Sequence, residues 1–445
     1  MTDPSPSEQD ARYTHRSWRI FFWRWRIFFI TWLTYAGFYL TRKSFSVAKI
    51  GMEKDPSINL DPALMGALDA SYLVAYAIGQ FVWGMSADRL GTRKVVLGGL
   101  LTSVVAGVAM GFSSATLMFG GLLFVQGLAQ STGWAPLTKN VSFWFPQKQR
   151  GVIYGFWSTN YAVGGLIASP IAGFLAVYFG HWRYAFWGPA IILLGVWLLF
   201  LMLQRNQPED VGLPPVDEAE DDTPENNLES SEAEAKTSSW KTSLKVMKNT
   251  QVLVMAASYF FLKPTRYAII FWGPYMVNKK LGTNELDSAI TSAIFDGAGV
   301  LGALTAGIVS DIIFKGRRMP VCVVLLILLA ATLFMFDTFT STGSHLMMGV
   351  LLFAIGFFIY GPDSILAGVA AVDFGTSKGA GTSAGFINGC GSIGAILGGS
   401  LPGVIYANYG WGMLFNILGV SVLMAAILLS TRWNAVPATQ TKPTA

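Results

Sequence analysis

Apolar runs long enough to cross a bilayer as helix, which takes roughly 20 residues, recur along the chain, as at Val95–Phe112, Phe186–Leu203, Val321–Phe336 and Met413–Ser430. Gly, Pro and charged residues break the runs, and the breaks predict twelve helices over 24–48, 62–87, 94–113, 116–142, 150–178, 183–204, 249–277, 287–313, 320–338, 346–372, 380–407 and 411–431. Strand-period alternation is absent, which excludes a β-barrel. Between the sixth and seventh runs, Gln204–Ser243 is polar and carries a dense acidic stretch from Asp217 to Glu234. Such a segment cannot bury an apolar core, so a solvated, mobile linker accounts for it better than a metal or partner site. The expected organisation is a tail at 1–23, a six-helix bundle at 24–204, an acidic linker at 205–247, a second bundle at 248–432 and a tail at 433–445.

Composition sharpens this into a membrane protein: 52% of the 445 residues are hydrophobic and only 13% charged, about half the charge of a soluble domain. The first twenty residues lack an apolar core and a small-residue cleavage site, so they read as a cytoplasmic tail and not a signal peptide. Cys322 and Cys390 both fall in apolar runs, which suits packing and offers no disulfide framework or thiol metal site. The formal charge of +5 is spread through short connections and not gathered in one patch, an argument against nucleic acid. Arg12, Arg16, Arg19, Arg24 and Arg26, then Arg89, Arg93 and Lys94, then Lys148 and Arg150, then Lys315, Arg317 and Arg318 fall on one side of a twelve-span chain. Both termini are therefore expected in the cytoplasm, with Lys279 and Lys280 running slightly against the rule. With no nucleophile–base arrangement, metal cluster or phosphate loop, nothing suggests an enzyme, a metal or a cofactor.

A weak internal repeat relates the halves. Gly84-Met85-Ser86-Ala87-Asp88-Arg89-Leu90-Gly91-Thr92-Arg93-Lys94 follows the second span, and Gly307 to Asp311 with Lys315-Gly316-Arg317-Arg318 follows the eighth. Each sets an acid at a helix end beside a Gly-containing basic turn. The first of these resembles the loop signature of the major facilitator superfamily, which implies two pseudo-symmetric six-helix bundles around a central cavity, an all-α membrane fold.

Charge inside a span is costly, about +2.5 to +3.5 kcal/mol on insertion scales, so each instance is a functional candidate. Arg42 and Arg266 lie at similar depth in the first and seventh spans, the first helix of each half. Tyr35, Phe38 and Tyr39 share the helical face of Arg42, and Tyr259 and Lys263 that of Arg266. Two facing guanidiniums repel unless an anion lies between them, and their planar forks match phosphate oxygens. Alternatively each arginine pairs with an intramembrane acid, Asp69, Asp296 or Asp363. Asp296 is expected to contact Lys263 or Lys139 as a breakable gate.

The wider pattern is more specific. Tyr39-Leu40-Thr41-Arg42-Lys43-Ser44-Phe45, Gly133-Trp134-Ala135-Pro136, Gln147-Lys148-Gln149-Arg150-Gly151, Val163-Gly164-Gly165, Gly212-Leu213-Pro214-Pro215 and Tyr360-Gly361-Pro362, in that order, resemble the organophosphate:phosphate antiporter family. The resemblance implies that Arg42 and Arg266 bind the substrate phosphate and that Tyr35, Tyr39, Tyr76, Trp134 and Tyr360 line the cavity, with Lys43 beside them. Two departures matter: Gln80 stands where the family commonly has lysine, and Asn160-Tyr161-Ala162 stands where glycerol-phosphate transporters have a histidine. No histidine lies deep in a span, so histidine protonation is not expected to tune this cavity, and Lys263 is expected to restore the missing cation. The implied function is exchange of a phosphorylated metabolite for inorganic phosphate by a monomer in the bacterial inner membrane, in contact with lipid. Two alternatives stay open: a hexose-phosphate sensor of the same fold, and a proton-coupled transporter of an unphosphorylated solute using Asp69 or Asp296.

Overall fold

The computed structural model describes residues 6–58, 60–216, 248–369 and 380–435. The acidic stretch of the linker, and the side chains of Gly84, Asp88, Lys148 and Arg150, lie outside the described residues. The first bundle contains α1 (Pro6–Arg42), α2 (Ser44–Lys54), α3 (Pro62–Leu90), α4 (Thr92–Phe112), α5 (Thr116–Gln130), α6 (Trp134–Trp144), α7 (Gln147–Trp157), α8 (Thr159–Tyr178) and α9 (Tyr184–Leu203). The second contains α10 (Thr250–Leu281), α11 (Glu285–Ile312), α12 (Arg318–Thr340), α13 (His345–Ser364) and α14 (Ala380–Ser430). Three pairs, α1–α2, α5–α6 and α7–α8, are single crossings interrupted once, and α14 holds two crossings that turn at Gly410, whose φ of 78° few other residues tolerate. The result, among the described residues, is twelve spans.

The starts and interruptions have local causes. Asp61, Asn249, Asn284 and Ser344 each accept a backbone N–H of the first turn that follows, supplying the acceptor a helix start lacks. At the α5–α6 break, the Ser131 and Thr132 hydroxyls bond back to the carbonyls of Leu128 and Ala129, competing with the helix ladder. Ser158 does the same to Gly155 between α7 and α8. Pro264 and Pro274 inside α10 and Pro362 inside α13 remove further ladder donors. Irregular backbone at membrane depth persists where it is buried in protein or lines a cavity, so these breaks mark the centre of the molecule.

The halves meet over the end of the bundle opposite the chain termini, here the distal end, through α2 on α10, α3 on α14 and α8 on α11. Close approach there depends on glycine: a Cβ at Gly173 would sit 2.8 Å from the carbonyl oxygen of Glu285. The Glu53 carboxylate seals the seam by accepting from Lys279 at 2.7 Å and from the Tyr275 hydroxyl at 2.9 Å, and Lys280 pairs with Asp337 at 2.6 Å. Lys279 and Lys280 are thus partnered charges, which explains their departure from the loop rule. Among the described residues no comparably broad pairing joins the halves at the other end.

Two expectations change. The tail at 1–23 is helical from Pro6 and simply extends the first span. The start of the expected mobile linker is docked: Asn140 donates to the carbonyls of Arg205 and Asn206, Arg19 donates to that of Val211, and Leu213 and Val216 are buried.

Candidate functional site

Arg42 ends α1 where the helix breaks, and the break turns its guanidinium toward α5 and α3. Its Nε donates to Gln130 Oε1 at 3.0 Å, the same oxygen accepts from the Tyr72 hydroxyl at 2.7 Å, and Gln130 Nε2 donates to Thr41 at 3.0 Å. The guanidinium carbon stands 4.4 Å from the ring centre of Tyr39 and 4.9 Å from that of Tyr76. Neither ring face nor carboxamide cancels its charge, and the buried Nη2 has no hydrogen-bond partner.

Arg266, on α10 two residues past Pro264, faces it from the other half, and Tyr39 is within electrostatic reach of both guanidiniums. The Arg266 guanidinium carbon lies 4.8 Å from the Tyr161 ring centre and 4.6 Å from that of Tyr360, and these two rings stack across the halves at 5.9 Å. Unlike Arg42 it meets a carboxylate. Nη1 donates to Asp363 Oδ2 at 2.5 Å, while Lys263 stands 3.3 Å from Asp363 Oδ1 and the Tyr259 hydroxyl donates to that oxygen at 3.1 Å. The pairing of arginine with an intramembrane acid therefore holds for Arg266 and fails for Arg42.

Distal to the arginines are two buried ion pairs. Lys43, in the α1–α2 break, bonds Asp296 of α11 at 2.9 Å, and Asp296 also accepts from the Tyr360 hydroxyl at 2.8 Å. This corrects the expected partners of Asp296: Lys263 is taken by Asp363, and Lys139 lies on α6 over the Phe143 ring. Packing between helices, within the second half for Lys263 and between the halves for Lys43, decides among these lysines, and one helix cannot reveal it. Lys49 bonds Asp69 at 2.5 Å and the Phe271 carbonyl of α10 at 3.0 Å, under the Trp272 ring.

Gly165 makes the Lys43–Asp296 latch possible, since a Cβ there would sit 2.8 Å from the Asp296 carboxylate. Gly165→Val is accordingly expected to loosen the distal seam, seen as faster labelling of an Ala289→Cys reporter by an impermeant thiol reagent. Unchanged labelling would show that the seam does not depend on this approach.

Of the remaining expected residues, Tyr35 packs edge-on against Trp134 at 5.2 Å and its hydroxyl lies 3.4 Å from that of Tyr76. Trp134 reaches Tyr161 at 6.3 Å, so the aromatic wall is continuous from one arginine to the other. Asn160 is buried, with both amide atoms unpartnered, and Gln80 is half-buried one turn beyond Tyr76. The loop signature works within the first half. Gly91 turns with φ of 80°, and Arg93 donates to the carbonyls of Leu201 and Gln204, clamping the third span to the end of the sixth. Arg89 and Lys94 are exposed there. In the second half, Asp311 pairs with Arg318 at 2.5 Å. Sequence pattern alone does not single out Gln130, Tyr72, Lys49, Glu53 or Tyr275. Lys49 falls two turns past Arg42 and Gln130 directly precedes a Ser-Thr-Gly break, the two signals that point to them.

Among the described residues eight charged side chains are buried: Arg42, Lys43, Lys49, Lys263 and Arg266 against Asp69, Asp296 and Asp363, an excess of two positive charges. Burial of uncompensated charge is tolerated where a ligand supplies the counter-charge.

Comparison with known proteins agrees with this architecture. Residues 27–399 match the Major Facilitator Superfamily. The chain is 29% identical to the glycerol-3-phosphate transporter of Bacillus subtilis, covering 96% of this chain and 95% of that one. It is 30% identical to a probable hexose phosphate transport protein of Chlamydia pneumoniae (93% and 92%) and 28% identical to the membrane sensor protein UhpC of Salmonella typhimurium (96% and 94%). Its fold matches the crystal structure of a bacterial homolog of the human lysosomal transporter Spinster, inward-facing and occupied, with a TM-score of 0.68 at 15% identity, over 92% of this chain and 95% of that one. These are names of transporters and of a sensor, not of enzymes. The chain is a multi-pass membrane protein that belongs to the major facilitator superfamily and, within it, to the organophosphate:phosphate antiporter family.

Proposed function

We propose that this protein exchanges a phosphorylated metabolite, a sugar phosphate or glycerol-3-phosphate, for inorganic phosphate across the bacterial inner membrane, as a monomer with both termini in the cytoplasm. The observation that carries the reading is the excess of two positive charges among the described buried residues around Arg42 and Arg266. A phosphate monoester carries about −1.5 to −2 at pH 7, so one substrate neutralises the site. The relatives named for glycerol-3-phosphate and hexose phosphate support the same class.

Transport follows from charge. Phosphate bridging Arg42 and Arg266 draws 24–204 and 248–432 together at the cytoplasmic end, while the distal latches Lys43–Asp296 and Glu53–Lys279 give way. Empty, the site holds facing cations that oppose this closure, so a return trip needs a second anion, which makes the cycle an exchange. Asp69 and Asp296, the carboxylates a proton-coupled mechanism would use, are both held in tight pairs with lysine.

The test is uptake of labelled phosphate into proteoliposomes preloaded with phosphate, challenged by a panel of sugar and glycerol phosphates. Exchange competed by one panel member is expected and names the substrate. Binding without exchange would instead favour the sensor reading, which the similarity to UhpC supports. Absence of both binding and exchange would overturn the phosphate assignment.

A further inference from the structure

The two arginines are held differently, and the difference has no counterpart in a symmetric two-arginine clamp. Arg42 Nε is fixed by the neutral carboxamide of Gln130, which orients the guanidinium and leaves its full charge and a free Nη2 for a ligand. Arg266 is bound by a carboxylate, Asp363, at 2.5 Å. Lys263, one helical turn before Arg266, stands 3.3 Å from the other oxygen of the same carboxylate. Asp363 sits between Pro362 and a π-helical turn at Ile365–Val369, two irregularities that weaken the local helix ladder and give the carboxylate room to shift.

Resting on the phosphate reading above, we propose that Asp363 is a built-in competitor, shared between Arg266 and Lys263 in the empty site and left to Lys263 alone when the substrate phosphate takes its place at Arg266. Without it, Arg266 and Lys263 would be two adjacent buried cations facing Arg42, and phosphate would be held too tightly to be released. With it, loading starts at Arg42 and is completed by a swap at Arg266: the Arg266–Asp363 pair breaks as Arg266 pairs with phosphate, and the existing Lys263–Asp363 pair keeps the carboxylate to itself. The charge set free by each step is taken up in the next, so binding stays reversible from either side. Asp363 is thus a positioning residue that sets affinity through Arg266.

Inorganic phosphate binding to the full-length protein in lipid nanodiscs tests this. Asp363→Asn is expected to bind phosphate about tenfold or more tightly, since a competing charge has gone, and to exchange it more slowly. Asp363→Ser carries the same expected sign and serves where asparagine does not fold. Lys263→Met is expected to weaken binding, because Asp363 then has only Arg266. In the double variant Lys263→Met with Asp363→Asn, the lysine effect should vanish, as residues acting through one another are non-additive. Equal or weaker affinity in Asp363→Asn overturns the proposal, as does a lysine effect that persists undiminished in the double variant, which would make Lys263 a direct phosphate ligand. Arg42→Lys in the same assay separates the levels: wild-type affinity there removes the phosphate reading itself, whereas lost affinity there with an unaffected Asp363→Asn removes only the competitor.

Discussion

Replacing Arg42 with lysine is expected to lower phosphate exchange by about a hundredfold while the protein still folds. Lysine keeps the positive charge, so Tyr39 and Tyr76 still face a cation and no bare hydrophobic hole opens. What it loses is the fork. The guanidinium spends Nε on Gln130 and retains Nη2 for the ligand, whereas an ammonium is a point charge that must choose between Gln130 and phosphate. Loss of one buried, charge-assisted contact costs about 2–5 kcal/mol, which at about 1.4 kcal/mol per decade is roughly thirty- to several-thousand-fold. The measurement is initial exchange rate in proteoliposomes, with the thermal unfolding midpoint of each variant recorded alongside. Near-normal exchange by Arg42→Lys would move phosphate recognition wholly onto the second half.

The same arginines explain which parts of this molecule can be read from sequence. Among the described residues eight helical segments are long and apolar enough to cross a membrane by composition alone, the last of them containing two crossings. The spans that fail that test are the first, fourth and seventh. The first and seventh fail because Arg42, Lys43, Lys49, Lys263 and Arg266 lie in them, and the fourth because it breaks after Gln130. Departures from apolar pattern therefore marked the site as well as lipid-facing pattern marked the fold. Helical spacing placed Tyr39 with Arg42 and Lys263 with Arg266, because neighbours on one helix follow from its period. Partners on different helices do not: packing within the second half gives Lys263 to Asp363, and the contact between halves brings Lys43 to Asp296. Gln130 is illegible in the sequence for another reason, since a lone glutamine in an apolar run gains meaning only from the place of its carboxamide between Arg42, Tyr72 and Thr41.

Asp69→Asn is expected to destabilise the protein by about 3–5 kcal/mol, the cost of stranding one member of a buried ion pair. Lys49 and Asp69 are both fully buried and 2.5 Å apart, and removal of the carboxylate leaves an ammonium with only the Phe271 carbonyl and the faces of Phe45 and Trp272 around it. Those groups recover part of the lost solvation and not a full counter-charge. The expected readout is a fall of several degrees in the unfolding midpoint of the purified protein. Replacing both partners, as Lys49→Met with Asp69→Leu, should restore most of that stability, because the desolvation penalty of two charges disappears with their attraction. Restored stability should not restore the seam, however. The bond from Lys49 to the Phe271 carbonyl ties α2 to α10 across the two halves, and methionine cannot make it. The double variant should therefore melt close to wild type yet label faster at an Ala289→Cys reporter, separating the latch from the fold. A double variant as unstable as Asp69→Asn would show that shape at this position, and not charge, sets its worth. One that matches wild type in both readouts would leave the distal closure to Lys43–Asp296 and Glu53–Lys279.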